Sequence, residues 1–339
     1  MIHILDITPE RFCEHIERIG EKKFRATQIL QWIWQKRVTD FALMSDLSKK
    51  LRENLFGEFD IITGSIAARR DSGDGCVKLL VEYPDGERIE TVAIPAEERL
   101  TACVSTQAGC AMACSFCASG LDGLRRNLTS GEIVQQVLLL EQATGQRVTN
   151  VVFMGMGEPL ANLDATINAV RTLADSRRGA ISARKITVST SGLPKQIRQL
   201  AELELPITLA ISLHAPNDEL RRKLMPVASR YPIAEIISAA AEFFNSHKRE
   251  VTLEYTLIGG INDSPQCAAQ LAAIAATLRC NVNLIRYNPV SSLPYVRPDE
   301  RVVNDFAELL RRKHVNVTVR RSKGIDADSA CGQLRRRNA

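Results

Sequence analysis

Apolar positions recur at helical spacing over Phe24–Trp34 and again over Ala42–Leu55, which predicts a small helical module at the start of the chain. From Cys76 the pattern changes. CVKLLVEYPDGERIETVAIP holds two β-rich runs around Pro84-Asp85-Gly86, the spacing of a hairpin. After residue 100 the period alternates. Strands are expected at Thr101–Thr106, Asn150–Met154, Lys185–Thr190, Ile207–Leu213, Val251–Leu257 and Val282–Tyr287. Helices are expected at Ser130–Thr144, Leu163–Asp175, Leu193–Leu203, Ile233–Ser246 and Pro265–Leu278. Thr129-Ser130 ahead of Glu132, and Ser264-Pro265, are helix-start signals. Strands alternating with helices predict an α/β fold with a parallel sheet and right-handed crossovers, as a partial barrel or a doubly wound sheet.

Either architecture gathers functional side chains at the C-terminal ends of strands. The polar signals fall there. Cys110, Cys114 and Cys117 follow the first strand, and Gly155-Met156-Gly157-Glu158-Pro159 follows the second. Ser189 ends the third, Ser212-Leu213-His214 the fourth and Asn288 the sixth. Glu90 lies in the second run of the hairpin, where it reads as a solvent-facing strand residue. Trp32 and Trp34 read as core of the helical module, with contact to nucleic-acid bases as the alternative.

Composition narrows the class. The 339 residues are 45% apolar but only 5% aromatic, so the core rests on aliphatic side chains. No apolar run approaches the roughly 18 residues of a membrane span, and no leader pattern opens the chain. Nine cysteines, an odd number, fit a reducing compartment; a cytoplasmic protein is expected. The net charge of +5 is uneven: residues 311–339 hold nine basic and two acidic side chains. That end is a candidate phosphate footprint or simply a solvated tail.

Cys110-x3-Cys114-x2-Cys117 offers three soft thiolates from one short loop. A [4Fe–4S] cube has four irons, each wanting a terminal ligand, so three cysteines leave one iron open. A structural zinc would want a fourth protein ligand, for which His214 is a remote candidate. A zinc-stabilised RNA-binding protein is therefore the alternative.

The segment Cys110-Ala-Met-Ala-Cys114-Ser-Phe116-Cys117 resembles the radical S-adenosylmethionine (SAM) signature, and Gly157-Glu158-Pro159 resembles that superfamily's SAM-binding turn. CVSTQAGCAMACSFCASG, GLRRNLTSGEIVQQV, NVVFMGMGEPLANLD, ITVSTSGL, LAISLHAPND and ACGQL extend the likeness over residues 88–334. Together they resemble the radical SAM RNA methyltransferases that methylate an adenine carbon in large-subunit ribosomal RNA and transfer RNA. The resemblance implies a partial (β/α)6 barrel, one [4Fe–4S] cluster on Cys110, Cys114 and Cys117, and two SAM molecules per turnover. Gly157, Glu158, Ser189, Ser212, Leu213, His214 and Asn288 match SAM contacts. Cys331 matches the methyl-carrying cysteine, whose S-methyl group a 5′-deoxyadenosyl radical activates. Cys103 matches its disulfide partner, and Glu90 the base that takes the ring proton. Carbon 2 is the expected target, with carbon 8, the antibiotic-resistance activity of a sister family, as alternative; a radical SAM enzyme on a small molecule is a further one.

The resemblance also implies RNA substrates and an electron donor of flavodoxin-like type. Nothing points to a membrane or an obligate oligomer, so a monomer is expected. Phosphate contacts from Arg320, Arg321, Lys323 and Arg335–Arg337 would draw the base toward Cys331. Tyr287 and Tyr295 are candidate stacking residues or packing. The expected division is a helical accessory domain (1–75), a β-hairpin extension (76–100), a barrel (101–320) and a C-terminal segment carrying Cys331 (321–339).

Overall fold

A computed structural model describes residues 1–335. Its main sheet has ten strands: β1 Ser65–Asp71, β2 Val77–Glu82, β3 Arg88–Ala96, β4 Arg99–Cys103, β5 Asn150–Phe153, β6 Ile186–Thr190, β7 Thr208–Ser212, β8 Val251–Leu257, β9 Cys280–Arg286 and β10 Val317–Arg320. They lie side by side in chain order. Short turns join β1 to β4, so these pair antiparallel. From β4 to β10 every pair is parallel. The predicted hairpin thus continues the sheet, and two strands beyond expectation, β1 and β10, form its edges. β1 is largely exposed and β10 half-buried, and both mix polar with apolar residues (SIAARRD, VTVR), which hides them from a search for apolar runs.

The helices are α1 Pro9–Arg18, α2 Phe24–Trp34, α3 Lys49–Glu58, α4 Ser130–Thr144, α5 Leu163–Ala174, α6 Pro194–Ala201, α7 Asp218–Leu224, α8 Ile233–His247, α9 Pro265–Ala275 and α10 Glu300–Arg312. Those from α4 onward supply the crossovers. A capping box starts α4: Thr129 Oγ1 accepts from Glu132 N at 3.1 Å while the Glu132 carboxylate accepts from Thr129 N at 2.9 Å. The expected helix over Ala42–Leu55 is broken. Asp40 accepts from Ala42 N at 2.8 Å and Ser48 from Leu51 N at 3.2 Å, so a short turn at Phe41–Leu43 precedes a separate α3. Side chains that bond nearby backbone compete with helix continuity.

The N-terminal module docks on α4. Asp6 Oδ1 accepts from Ser130 Oγ and Gly131 N at 2.6 Å each, and Arg37 pairs with buried Glu141. Trp34 is 2% exposed and belongs to the core. Trp32 donates to Asp46 Oδ1 at 2.5 Å and carries the Lys36 ammonium over its ring. Among the described residues no helix is long and apolar enough to cross a membrane.

The sheet curls around one interior, since inward side chains from β3 to β10 line a common cavity. Its open side, between β1 and β10, is bridged by residues 324–335. Asp326 accepts from Ser72 Oγ and from Gly73 N, and Asp74 Oδ2 accepts from Gly324 N at 2.8 Å. Thr129→Ala should lower stability by about 1 kcal/mol, read from the urea midpoint at unchanged slope.

Candidate active site

The loop after β4 carries the three cysteines. Gly109, with φ +81°, starts it; a Cβ there would stand 1.9 Å from the Gly123 carbonyl oxygen, so only glycine lets the loop close. Cys110, Cys114 and Cys117 line one cavity with Gly157, Glu158, Ser189, Ser212, His214, Cys331 and Gly332. Burial and their mutual fields push the Cys110 thiol up to about 12 and the Cys114 thiol well above its usual range. Three thiolates this close and this dry need positive charge between them. An iron–sulfur cluster supplies it.

In a four-iron cluster each thiolate binds a different iron, so three cysteines suffice and no fourth protein ligand is needed. His214 is no fourth ligand through Nδ1, which accepts from Thr256 N at 3.0 Å. The zinc reading is set aside.

Gly157 has φ +101°, and a Cβ there would meet Gln107 Cβ at 2.6 Å and Gln107 N at 2.8 Å. Only glycine therefore lets this turn pack against Gln107 with its backbone on the cavity wall. Glu158 is 3% exposed. Its Oε1 accepts from Leu160 N at 3.0 Å and its Oε2 from Ser191 N at 2.7 Å, while Gln107 Oε1 accepts from Glu158 N at 2.8 Å. Each carboxylate oxygen keeps acceptor capacity for a ligand ammonium. Burial raises this acid's pKa, and the backbone donors oppose the rise.

Ser189 and Ser212 face each other, with hydroxyls 3.3 Å apart. His214 sits edge-on to Phe116, ring centroids 5.1 Å apart. Burial lowers its pKa to about 3, so the ring is neutral. Because Nδ1 accepts a hydrogen bond, the proton is on Nε2. Leu213 departs from the expected set: its side chain is fully buried in the core and does not line this cavity. Asn288 lines a smaller neighbouring cavity and donates Nδ2 to the Cys331 carbonyl at 3.1 Å.

That smaller cavity also holds Cys103, Cys331, Met154 and Arg320. The fold thus brings together two cysteines distant in sequence. Burial pushes the Cys103 thiol up to about 12; neighbouring Cys331 adds to the rise and Arg320 opposes it. All nine cysteines are free thiols.

Glu90 is 5% exposed, not solvent-facing. Its Oε1 pairs with Lys78 Nζ at 3.0 Å and its Oε2 accepts from Arg335 N at 2.8 Å. Burial raises its pKa, against the pull of Lys78. It faces a separate cavity of about 520 Å³, lined also by Arg70, Lys78, Asp328, Gln333 and Arg335. Lys78, which sequence reasoning passed over, also donates to the Asp328 carbonyl at 2.9 Å. Its signal was a basic residue in one run of a hairpin whose other run holds a lone acid.

The basic end divides differently from expectation. Arg320 and Lys323 reach the Cys331 cavity, but with Arg321 they also line a cavity at the N-terminal ends of the strands. Arg335 pairs with Asp122 at 2.8 Å. Arg336 and Arg337 lie outside the described residues. Tyr287 is buried and lines the cysteine cavity, and Tyr295 donates its hydroxyl to Ser115 Oγ at 2.6 Å.

A curled parallel sheet with a three-cysteine loop after its first parallel strand and a glycine–acid turn after its second defines a radical SAM enzyme. The Radical SAM superfamily profile matches residues 104–271, and the profile described as Ribosomal RNA large subunit methyltransferase N-terminal domain matches residues 2–61. The chain is 46% identical over 327 residues to the "Probable dual-specificity RNA methyltransferase RlmN" of Gloeobacter violaceus, covering 95% of this chain and 92% of that protein. It is 45% identical over 338 residues to the protein of that name from Alkaliphilus oremlandii, covering 99% and 98%. A crystal structure of a radical SAM methyltransferase from Sphaerobacter thermophilus superposes with TM-score 0.96 at 42% identity, over 99% of this chain and 100% of that one. The chain belongs to the RlmN family of radical SAM RNA methyltransferases. A [4Fe–4S] cluster and SAM follow from that membership.

Cys114→Ala should remove the brown colour and nearly all bound iron after anaerobic reconstitution, measured by iron assay and visible absorption. Gly157→Ala should keep the iron but weaken SAM binding about tenfold or more, measured by equilibrium dialysis.

Proposed function

We propose that this chain methylates carbon 2 of an adenine in large-subunit ribosomal RNA and in transfer RNA, as a cytoplasmic monomer served by a flavodoxin-like electron donor. The printed names of its relatives, which speak of dual specificity, support the two RNA classes. One observation carries the mechanistic reading: Cys331 lines both the cavity of the three-cysteine loop and the cavity of Cys103.

When bound to Cys110, Cys114 and Cys117, one cluster with two SAM molecules per turnover supplies a methyl group and a carbon-centred radical. Gly157 lets the backbone meet SAM, and Glu158 receives its ammonium. Ser189, Ser212 and the Nε2–H of neutral His214 offer further polar contacts, with Leu213 contributing through its backbone. Cys331 Sγ accepts the methyl group and carries the one-carbon unit, as thiolates do in nucleophilic catalysis. Asn288 orients that residue through its carbonyl. Cys103 Sγ, as thiolate, then attacks Cys331 Sγ: the S–S bond forms, the bond from Cys331 sulfur to the product carbon breaks, and that carbon keeps the electron pair and takes up a proton. Glu90 takes the ring proton: burial strengthens it as a base while Lys78 keeps it charged, the combination a general base requires. The adenine must leave its stack to reach these groups, and the cavity beside Glu90 is its berth.

Cys331→Ala should abolish RNA methylation while SAM binding is retained. Cys103→Ala should leave a covalent protein–RNA species, visible as a denaturing-gel shift sensitive to ribonuclease. Mass spectrometry of digested product RNA checks the regiochemistry; 8-methyladenosine in place of 2-methyladenosine would overturn the carbon-2 assignment.

A further inference from the structure

The side chains facing the N-terminal mouth of the barrel are small and polar. Threonines of β4, β6, β7, β8 and β10 point inward there, beside Asn150 and Asn281. Barrel interiors are ordinarily filled by layers of branched aliphatic side chains. Here the small residues leave a cavity of about 480 Å³, a size that suits a small ligand.

Its charge is one-sided. Arg99, Arg184, Lys185, Arg320, Arg321 and Lys323 line it against a single carboxylate, Glu254. That carboxylate already accepts from Asn283 Nδ2 at 2.8 Å. Lys323 donates to the Pro95 carbonyl. Among the described residues the other five side chains have no hydrogen-bond or ion-pair partner. Arg69 and Arg198, by contrast, are paired with Asp71 and Glu242. At the rim, Arg249 donates Nη2 to Thr208 Oγ1 at 2.9 Å, yet its Nε is buried without a partner.

Cys331 and Glu254 favour the charge of Arg320, but one carboxylate among six cations leaves the recess with a net positive potential. A multi-oxygen anion answers that potential, and guanidinium forks match phosphate oxygens in pairs. We propose that this mouth is a phosphate-binding site, distinct from the cavity of the three-cysteine loop and divided from it by Met154 and Glu254, which line both. The recognised chemistry is the phosphate group, free or on a nucleic-acid backbone. The site stands whether or not the carbon-2 reading holds.

The test uses the full chain, reconstituted anaerobically, in calorimetric titrations at ionic strength fixed with potassium chloride. Pyrophosphate and a short single-stranded RNA are the two probes. At least one should bind with a dissociation constant below about 1 mM. Arg184→Ala with Lys185→Ala, and separately Arg321→Glu, should each weaken that binding about tenfold, while circular dichroism stays unchanged. Arg311→Ala with Arg312→Ala, on the exposed end of α10, should not. Pyrophosphate binding that these variants weaken marks a site for free phosphates. RNA binding alone, weakened by them, marks a backbone contact. Absence of both, or binding that neither variant moves, overturns the proposal.

Discussion

A curled sheet with two free edges needs something across the gap, and in this chain a C-terminal strap provides it. Leaving β1, residues 71–78 meet residues 324–328 through Asp74, Asp326 and Lys78. The strap then turns inward. Ala118 N donates to the Gly332 carbonyl at 2.8 Å, Ser119 Oγ to the Leu334 carbonyl at 2.8 Å and Gln333 Nε2 to the Pro289 carbonyl at 3.0 Å. These bonds set Cys331 between the cysteine loop and Cys103. The same tie that closes the barrel therefore brings Cys331 and Cys103 to one cavity.

Lys78 is the pivot of that tie. A lysine buried to 6% exposure costs several kcal/mol unless its charge is met. Glu90 meets the charge and the Asp328 carbonyl takes a second hydrogen bond. Removing Glu90 would strand the Lys78 ammonium and leave Arg335 N without its acceptor, so this acid holds the strap in place.

Much of this was legible in the sequence. Every interior parallel strand announced itself by a β-branched run, and strand-end motifs located Gly157, Glu158, Ser189, Ser212 and His214 on one cavity. The edges β1 and β10 did not, because an exposed edge is selected for charge rather than apolarity. Leu213, the motif neighbour of His214, points its side chain the other way along a strand end and into the core. A single acid among apolar residues, Glu90 reads as solvent-facing unless its partner, Lys78 on the paired strand, is seen too. Arg320 does reach the cavity of Cys331, whereas Arg321, just past the end of β10, lines only the cavity at the other mouth.

The ten strands lie in the order in which they are synthesised, and the strap follows them all. Each strand emerging from the ribosome can join a neighbour already present, without waiting for a distant segment, as vectorial folding favours. The cysteine loop is complete early and Cys331 arrives late. During biogenesis the segment that holds the metal group is thus complete before Cys331 is placed beside it.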